Sequence, residues 1–267
     1  MAGELAERAM CGEKLDGVLI IDGHAHMGPW CPLQALACSA NDMVAYMDAI
    51  GVDAVCASGF LSITADFRLG NDMVADAIRR HPGRFVGYAT INPHYPTDVL
   101  PELERCFDEL NMTALKFHPA WHSYPVDGHS YMQALEFAND RRALVLSHTW
   151  GTPALLESLA TKYTDVSFLV AHHAHINSPD IDHTVWAGLI RDLPNVYADL
   201  ASSVALMGGF ELMVRTVGAH KVIFGSDTPL HDLAYQLGRV LLADLDDEDK
   251  KDILGRNLAR LVPGFDR

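Results

Sequence analysis

Short apolar runs alternate with longer amphipathic stretches along most of this chain. Most of the runs are almost continuously apolar, which is typical of strands that are buried on both faces of a parallel sheet. Eight runs are predicted strands: Val18–Asp22, Asp53–Ser58, Arg84–Asn92, Ala114–His118, Ala143–His148, Ser167–His172, Asn195–Asp199 and Lys221–Asp227. The stretches between them carry apolar residues at helical spacing and are predicted helices.

Eight successive strand–helix units indicate how the elements are arranged. One predicted helix opens at Asn71 and Asp72, and the last begins at about Asp247. The alternation favours an α/β fold, a single (β/α)8 TIM barrel over residues 1–267, in which residues 1–17 form an N-terminal extension. An open doubly wound sheet is the alternative, because periodicity does not show whether a sheet closes.

Composition and charge narrow the classes of partner. The 267 residues are 49% apolar, and no apolar run approaches the roughly 20 residues that span a bilayer. Residues 1–17 also lack the apolar block of a secretory signal. Twenty basic and 35 acidic residues give a net charge of −15, which disfavours nucleic acid and anionic membranes as partners. Five cysteines without a close pair fit a reducing compartment, so a cytoplasmic protein is expected.

The placement of the 14 histidines points to a functional site. In a (β/α)8 barrel the chemistry lies at the carboxyl ends of the strands and in the loops that follow them. Ionisable residues lie at or just beyond the ends of five predicted strands: His24 and His26 at the first, Lys116 and His118 at the fourth, His148 at the fifth, His172 at the sixth and Asp227 at the eighth.

The sequence His24-Ala25-His26 is a candidate metal-binding pair. Residues i and i+2 of an extended segment face the same way, so both imidazoles can point into one site. With His148 and Asp227 they make a set that suits a borderline divalent ion and leaves a position for water. Such a water loses a proton near neutral pH and becomes a nucleophile. Alternatively, the pair lies in a surface turn, His148 is structural and Asp227 caps a helix.

The sixth predicted strand ends near three histidines. Alternation turns His172 into the barrel and His173 towards the helices, while His175 lies in the following loop. A neutral histidine beside a metal site transfers protons near pH 7. His172 is therefore the predicted proton-transfer group or a further ligand, and His175 is the reserve candidate.

The fourth predicted strand carries Lys116 and His118 on one face and Phe117 on the other. A lysine inside a barrel needs a carboxylate, a substrate anion or a modification, because an unpaired buried charge is costly. A carboxylated Lys116 could bridge two metals, whereas a lysine paired with a carboxylate of the barrel would be structural only. The predicted substrate-binding residues are Lys116, His118 and Trp121.

Six motifs in order carry a resemblance to a known family: IDGHAHMG, KFHP, LSHTW, LVAHHAH, FGSDTP and LGRNLARLV. From about residue 18 to residue 261, the chain resembles the amidohydrolase superfamily, and most closely its amidohydrolase-related branch of metal-dependent TIM-barrel hydrolases, which includes several decarboxylases. The resemblance implies that His24, His26 and His148 bind metal. It also implies that Asp227 binds metal or handles the proton of the attacking water, and that His172 is a ligand or a catalytic group.

The function expected from residues and resemblance together is that of a metal-dependent hydrolase. It would use a metal-activated water on an amide, ester or lactone of a small molecule. The favoured cofactor is one Zn²⁺ ion, with Mn²⁺ or Fe²⁺ as alternatives, and two ions are expected if Lys116 is carboxylated. A metal-dependent non-oxidative decarboxylase of an unsaturated or aromatic carboxylic acid is the second hypothesis, and a metal-free binding protein is the third. The expected assembly is a homodimer.

Overall fold

The computed structural model describes residues 3–29, 38–172, 183–201 and 208–265. Within these ranges, eight parallel strands form one sheet in which each strand pairs with the next in chain order. The strands are β1 Ile21–Met27, β2 Ala54–Gly59, β3 Phe85–Ala89, β4 Ala114–Phe117, β5 Leu144–Ser147, β6 Ser167–Val170, β7 Val196–Asp199 and β8 Val222–Ile223.

The two ends of this sheet meet through backbone hydrogen bonds. The N–H of Gly23 in β1 donates to the carbonyl oxygen of Phe224, at 2.8 Å. Further along, the N–H of His26 donates to Thr228 at 2.8 Å, and the N–H of Asp227 donates to His24 at 2.7 Å. The predicted (β/α)8 barrel is therefore confirmed, and the open doubly wound sheet is wrong.

Several strand boundaries differ from the prediction, and the differences in the first and last strands bear on the site. The first strand begins at Ile21 rather than Val18 and continues to Met27, so the His24–His26 pair lies inside β1 instead of after its end. The last strand is only Val222–Ile223, shorter than predicted. β1 stays extended through Met27 because it pairs with β2 as far as Gly59 and also bonds to the segment that follows β8.

Helices surround the barrel. Those in the described residues are α1 Glu4–Met10, α2 Ala40–Ile50, α3 Phe60–Thr64, α4 Phe67–Arg80, α5 Val99–Glu104, α6 Pro119–His122, α7 His129–Arg141, α8 Pro153–Lys162, α9 His183–Asp192, α10 Gly209–Val217, α11 Leu233–Leu241, α12 Asp247–Lys251 and α13 Asn257–Ala259. Short π-helical segments, Arg105–Glu109 and Asp252–Arg256, continue α5 and α12. No helix in the described ranges is long and apolar enough to cross a bilayer.

The start of α4 corrects one predicted helix boundary. The helix begins at Phe67, and the Asp66 side chain accepts the N–H of Leu69 as its N-cap. Asn71 therefore does not open the helix. It is fully buried within it, and its side-chain amide donates to the Thr90 carbonyl and to Glu102. The burial of Asn71 and its two hydrogen bonds exclude it as the cap, and the apolar spacing of the helix does not show this burial.

Alternation along β4 separates the two sides of the barrel wall. Leu115 and Phe117 belong to the large apolar cluster between the sheet and the helices. The centroid of the Phe117 ring lies 4.5 Å from that of the Tyr131 ring. Ala114 belongs to the smaller cluster that lines the inside of the barrel. Lys116 has the same parity as Ala114, so its side chain enters the barrel interior.

Candidate metal centre and active site

Three predicted ligands meet at the carboxyl end of the barrel. His24 and His26 are buried side chains of β1, and Asp227 follows β8. The Oδ1 atom of Asp227 lies 3.5 Å from Nε2 of His24 and 3.1 Å from Nε2 of His26. Two ligand atoms of one zinc-like ion, each about 2.1 Å from it, are separated by about such distances. The donor set of two imidazoles and one carboxylate therefore fits a divalent metal ion.

The charge state of these groups also suits a metal. Burial lowers the pKa of His24 well below its usual value, and the nearby Lys116 lowers it further. Burial likewise lowers the pKa of His26. Burial opposes ionisation of Asp227, but its contacts with His24 and His26 hold the pKa of this carboxyl well below its usual range. Near pH 7 the site therefore presents neutral imidazoles and an ionised carboxylate, the forms that bind metals.

The second ring nitrogen of each histidine in the pair is held by another side chain. Nδ1 of His24 lies 2.7 Å from Oδ2 of Asp199, and Nδ1 of His26 lies 2.8 Å from the Ser58 hydroxyl. Metal-binding histidines commonly have such a partner on the nitrogen that does not face the metal. Our sequence reasoning did not identify Asp199 or Ser58. The available signal for Asp199 was its position as the last residue of a predicted strand.

A second buried carboxylate, Asp22, supports the backbone around the site. It accepts the N–H of His24 at 2.9 Å, the N–H of Ser226 at 2.9 Å and the Ser226 hydroxyl. Burial raises the pKa of Asp22 to about 7. Ser226 immediately precedes Asp227, whose φ of +63° lies in the left-handed region that non-glycine residues rarely adopt. Asp22 thus joins β1 to the loop that carries Asp227.

The remaining predicted histidines lie beside this group rather than in it. Nε2 of His172 is 3.2 Å from Nδ1 of His148, and the His172 ring centroid is 5.1 Å from that of His24. His148 is not among the triads whose ligand atoms lie mutually within 4.8 Å in the described part of the chain. His148 therefore lies next to the proposed metal site and contacts the His172 ring, which lies between His148 and His24. His173 and His175 lie outside the described residues.

Lys116 is buried within the barrel and faces His24. Its Nζ atom lies 2.9 Å from Nε2 of His24, the nitrogen that also faces Asp227. Burial lowers the pKa of Lys116 to about 8, although the carboxylates of Asp227 and Asp199 act in the opposite direction. A cation therefore already lies close to the lone pair that would bind a metal.

Aromatic side chains and His118 border the same region. The His118 ring stacks on that of His148, with centroids 4.3 Å apart, and its Nδ1 accepts the N–H of Trp121. The Trp121 side chain is 47% exposed, so a ligand in solution can reach it. Phe60, which sequence reasoning missed, follows β2 and stacks on the His26 ring with centroids 4.9 Å apart. The site has a polar base and an aromatic border.

Comparisons with known proteins agree with this architecture. A family model described as Amidohydrolase matches residues 21–264, which confirms the predicted resemblance. Sequence comparison with curated proteins finds no significant match.

Solved structures share the fold at low sequence identity. One is the 5-carboxyvanillate decarboxylase LigW from Sphingomonas paucimobilis, with a TM-score of 0.72, 15% identity and coverage of 92% of this chain and 99% of that one. Another is a 5-carboxyvanillate decarboxylase from Novosphingobium aromaticivorans, complexed with manganese and a nitrobenzoic acid, with a TM-score of 0.73, 15% identity and coverage of 92% and 96%. A dihydroxybenzoic acid decarboxylase from Polaromonas sp. JS666, with manganese and 2-nitroresorcinol, has a TM-score of 0.71, 17% identity and coverage of 91% and 96%.

Proposed function

The chain belongs to the amidohydrolase family, and on that premise we propose that it is a divalent-metal-dependent hydrolase of a small molecule. The observation that carries the proposal is the buried group of His24, His26 and Asp227, whose ligand atoms are 3.1 and 3.5 Å apart. These three residues would hold the ion, and His148 is the proposed fourth ligand. When bound, the ion would supply an acidified water and a polarised substrate carbonyl.

Proton transfer in this proposal belongs to His172. Burial lowers its pKa, so its ring is neutral near pH 7. Nδ1 of the ring lies 2.8 Å from the Ala201 carbonyl oxygen, which can only accept, so this nitrogen carries the proton. The lone pair is then on Nε2, which can take up a proton from water and return it to the leaving group.

The substrate would enter past Trp121 and lie against His118. Lys116 provides a positive charge at the base of the site, so a substrate carbonyl oxygen or carboxylate can be bound there. This arrangement favours an amide, ester or lactone with an anionic or strongly polarised oxygen. Zn²⁺ is the favoured ion for the imidazole-rich donor set, and Mn²⁺ is the alternative that two of the decarboxylase structures hold.

Metal-dependent decarboxylation of an aromatic carboxylic acid is the second candidate function. Several proteins with this fold are decarboxylases of carboxyvanillate or dihydroxybenzoate. The buried cation of Lys116 and the aromatic border formed by Phe60 and Trp121 are compatible with such a substrate. In this reaction no water would be consumed, which separates it from hydrolysis.

The two candidate reactions are distinguished by the fate of labelled water. Protein loaded with Zn²⁺ or Mn²⁺ is incubated in ¹⁸O-water with N-acyl amides, lactones, hydroxybenzoates and vanillates, and products and carbon dioxide are measured by mass spectrometry. Hydrolysis incorporates ¹⁸O into a product carboxylate, whereas decarboxylation releases carbon dioxide from the substrate without that product. His24→Ala is the matched inactive variant. A chain that binds neither ion and converts no substrate would refute both functions and favour a binding protein.

The proposed assembly is a homodimer. Multi-angle light scattering of the purified chain measures this directly, since the chain mass is 29.3 kDa and a dimer has twice that mass. A single species with the mass of one chain would contradict it.

A further inference from the structure

Asp199 uses its two carboxylate oxygens for two different parts of the site. It is fully buried at the end of β7. Oδ2 lies 2.7 Å from Nδ1 of His24, while Oδ1 accepts the N–H of His172 at 2.8 Å and the N–H of Ala201 at 3.1 Å. One side chain therefore contacts a proposed metal ligand and the backbone of the proposed proton-transfer residue.

The contacts of His24 determine which of its ring nitrogens carries the proton. An ammonium group has only donors, so Lys116 must donate to Nε2 of His24 across their 2.9 Å separation. Nε2 is then the acceptor, and the ring proton of the neutral imidazole is on Nδ1. An ionised carboxylate has only acceptors, so Nδ1–H donates to Asp199. In this tautomer the lone pair is on the nitrogen that faces Asp227.

His172 depends on the other oxygen of Asp199. Its φ of +59° lies in the left-handed region, which a residue with a side chain adopts only when its surroundings hold it there. The hydrogen bond from its N–H to Asp199 and the contact of its Nδ1 with Ala201 provide such restraints. The N–H of Ala201 donates to the same Asp199 oxygen, so three hydrogen bonds join Asp199, His172 and Ala201 in a closed ring.

We propose that Asp199 is a positioning residue, which fixes the His24 tautomer that can bind a metal and holds His172 in place beside it. The inference rests on the proposed function in one respect, that His24 is a metal ligand. Its consequence is that metal affinity and the placement of His172 depend on the same carboxylate.

The substitution Asp199→Asn tests this with little change in shape. The amide oxygen can still accept the N–H groups of His172 and Ala201, but the amide nitrogen is a donor and would face Nδ1 of His24. The Nδ1–H tautomer of His24 would then lose its acceptor while Lys116 still faces Nε2, so the form of His24 that binds a metal would be less stable. We expect the dissociation constant for Zn²⁺ or Mn²⁺, measured by calorimetry, to rise about 10- to 100-fold, as is usual when such a partner is lost.

A matched control separates this effect from the general loss of a carboxylate. Asp53 accepts the N–H of Ile20 beside the start of β2, at the opposite end of the barrel from the site. Asp53→Asn should leave the dissociation constant within threefold of the wild-type value. If Asp199→Asn also stays within threefold, or if Asp53→Asn weakens binding equally, the positioning role is refuted.

The tautomer itself can be observed without metal or turnover. In ¹⁵N-histidine-labelled protein, long-range ¹H–¹⁵N spectra report which ring nitrogen is protonated, and His24→Ala assigns the signals. We expect the proton on Nδ1 in the metal-free wild type and a smaller Nδ1-protonated fraction in Asp199→Asn, where Lys116 still opposes a proton on Nε2. A wild-type proton on Nε2 overturns the proposal even if the variant does not fold. If the wild type binds no metal, but its Nδ1-protonated fraction still falls in Asp199→Asn, the proposed function fails while the effect of Asp199 on the tautomer is upheld.

Discussion

Replacement of Lys116 by methionine tests whether a buried ammonium group lies beside the metal-binding histidines. Methionine has a similar length and no charge, so the substitution removes the ammonium and its hydrogen bond to His24 while largely filling the same space. Lys116 is almost fully buried, and burial lowers its pKa from 10.5 to about 8. The folded metal-free chain should therefore be destabilised by the charge at neutral pH.

The sign and size of this effect follow from proton linkage. Between pH 8 and 10.5 the unfolded chain holds the Lys116 proton and the folded chain has mostly lost it, so the stability of the wild type rises with pH. At about 1.4 kcal/mol per pKa unit, the charge costs about 3 kcal/mol near pH 7.5 and about 1 kcal/mol near pH 9.5. The lost hydrogen bond lowers the stability of the variant by a pH-independent amount, because His24 stays neutral in this range.

The quantity to measure is therefore how the difference in unfolding free energy between the variant and the wild type changes with pH. The free energy of unfolding of both proteins is measured by urea titration without metal, near pH 7.5 and near pH 9.5. The variant's stability relative to the wild type should fall by about 2 kcal/mol between the two pH values. The control is Leu115→Ala, a change at a buried apolar residue of the same strand. It should destabilise the chain by the same amount at both pH values. If the difference for Lys116→Met does not change with pH, the lowered pKa of Lys116 is refuted.

Three further substitutions test the site, the packing and the substrate entrance. His24→Ala should reduce the metal content from about one ion per chain to near zero by plasma mass spectrometry, whereas His81→Ala, at the half-buried C-cap residue of α4, should retain it. Equal metal contents would contradict the ligand assignment. Phe117→Ala should lower the urea-derived free energy of unfolding by about 3–5 kcal/mol, because the ring is fully buried against Tyr131, and a loss under about 1 kcal/mol would contradict that packing. Trp121→Ala should raise KM for the substrate found in the ¹⁸O screen while the metal content is unchanged, and an unchanged KM would remove this residue from the binding site.

Much of the architecture could be predicted because the signals are local. A parallel strand that is buried on both faces must be almost continuously apolar, so runs such as ALVLS and SFLV show the strands of the barrel directly in the sequence. The alternation of side chains along a strand places Lys116 inside the barrel and Phe117 outside it. All strands of the barrel run in the same direction, so their carboxyl ends lie at one face and the polar residues at those ends lie close together.

The contacts that complete the site could not be predicted in this way. Asp199 is 175 positions from His24, and Ser58 is 32 positions from His26. Contacts between residues so far apart in the sequence produce no periodic pattern from which they could be predicted. β1 extends through Met27 because it pairs with β2 as far as Gly59 and bonds to a segment some two hundred positions away. Periodicity thus determined which side of each strand faces the interior, because it is a property of the local backbone. Only the closed barrel determines which ring nitrogen of each histidine faces the metal site, because hydrogen-bond partners depend on proximity in space.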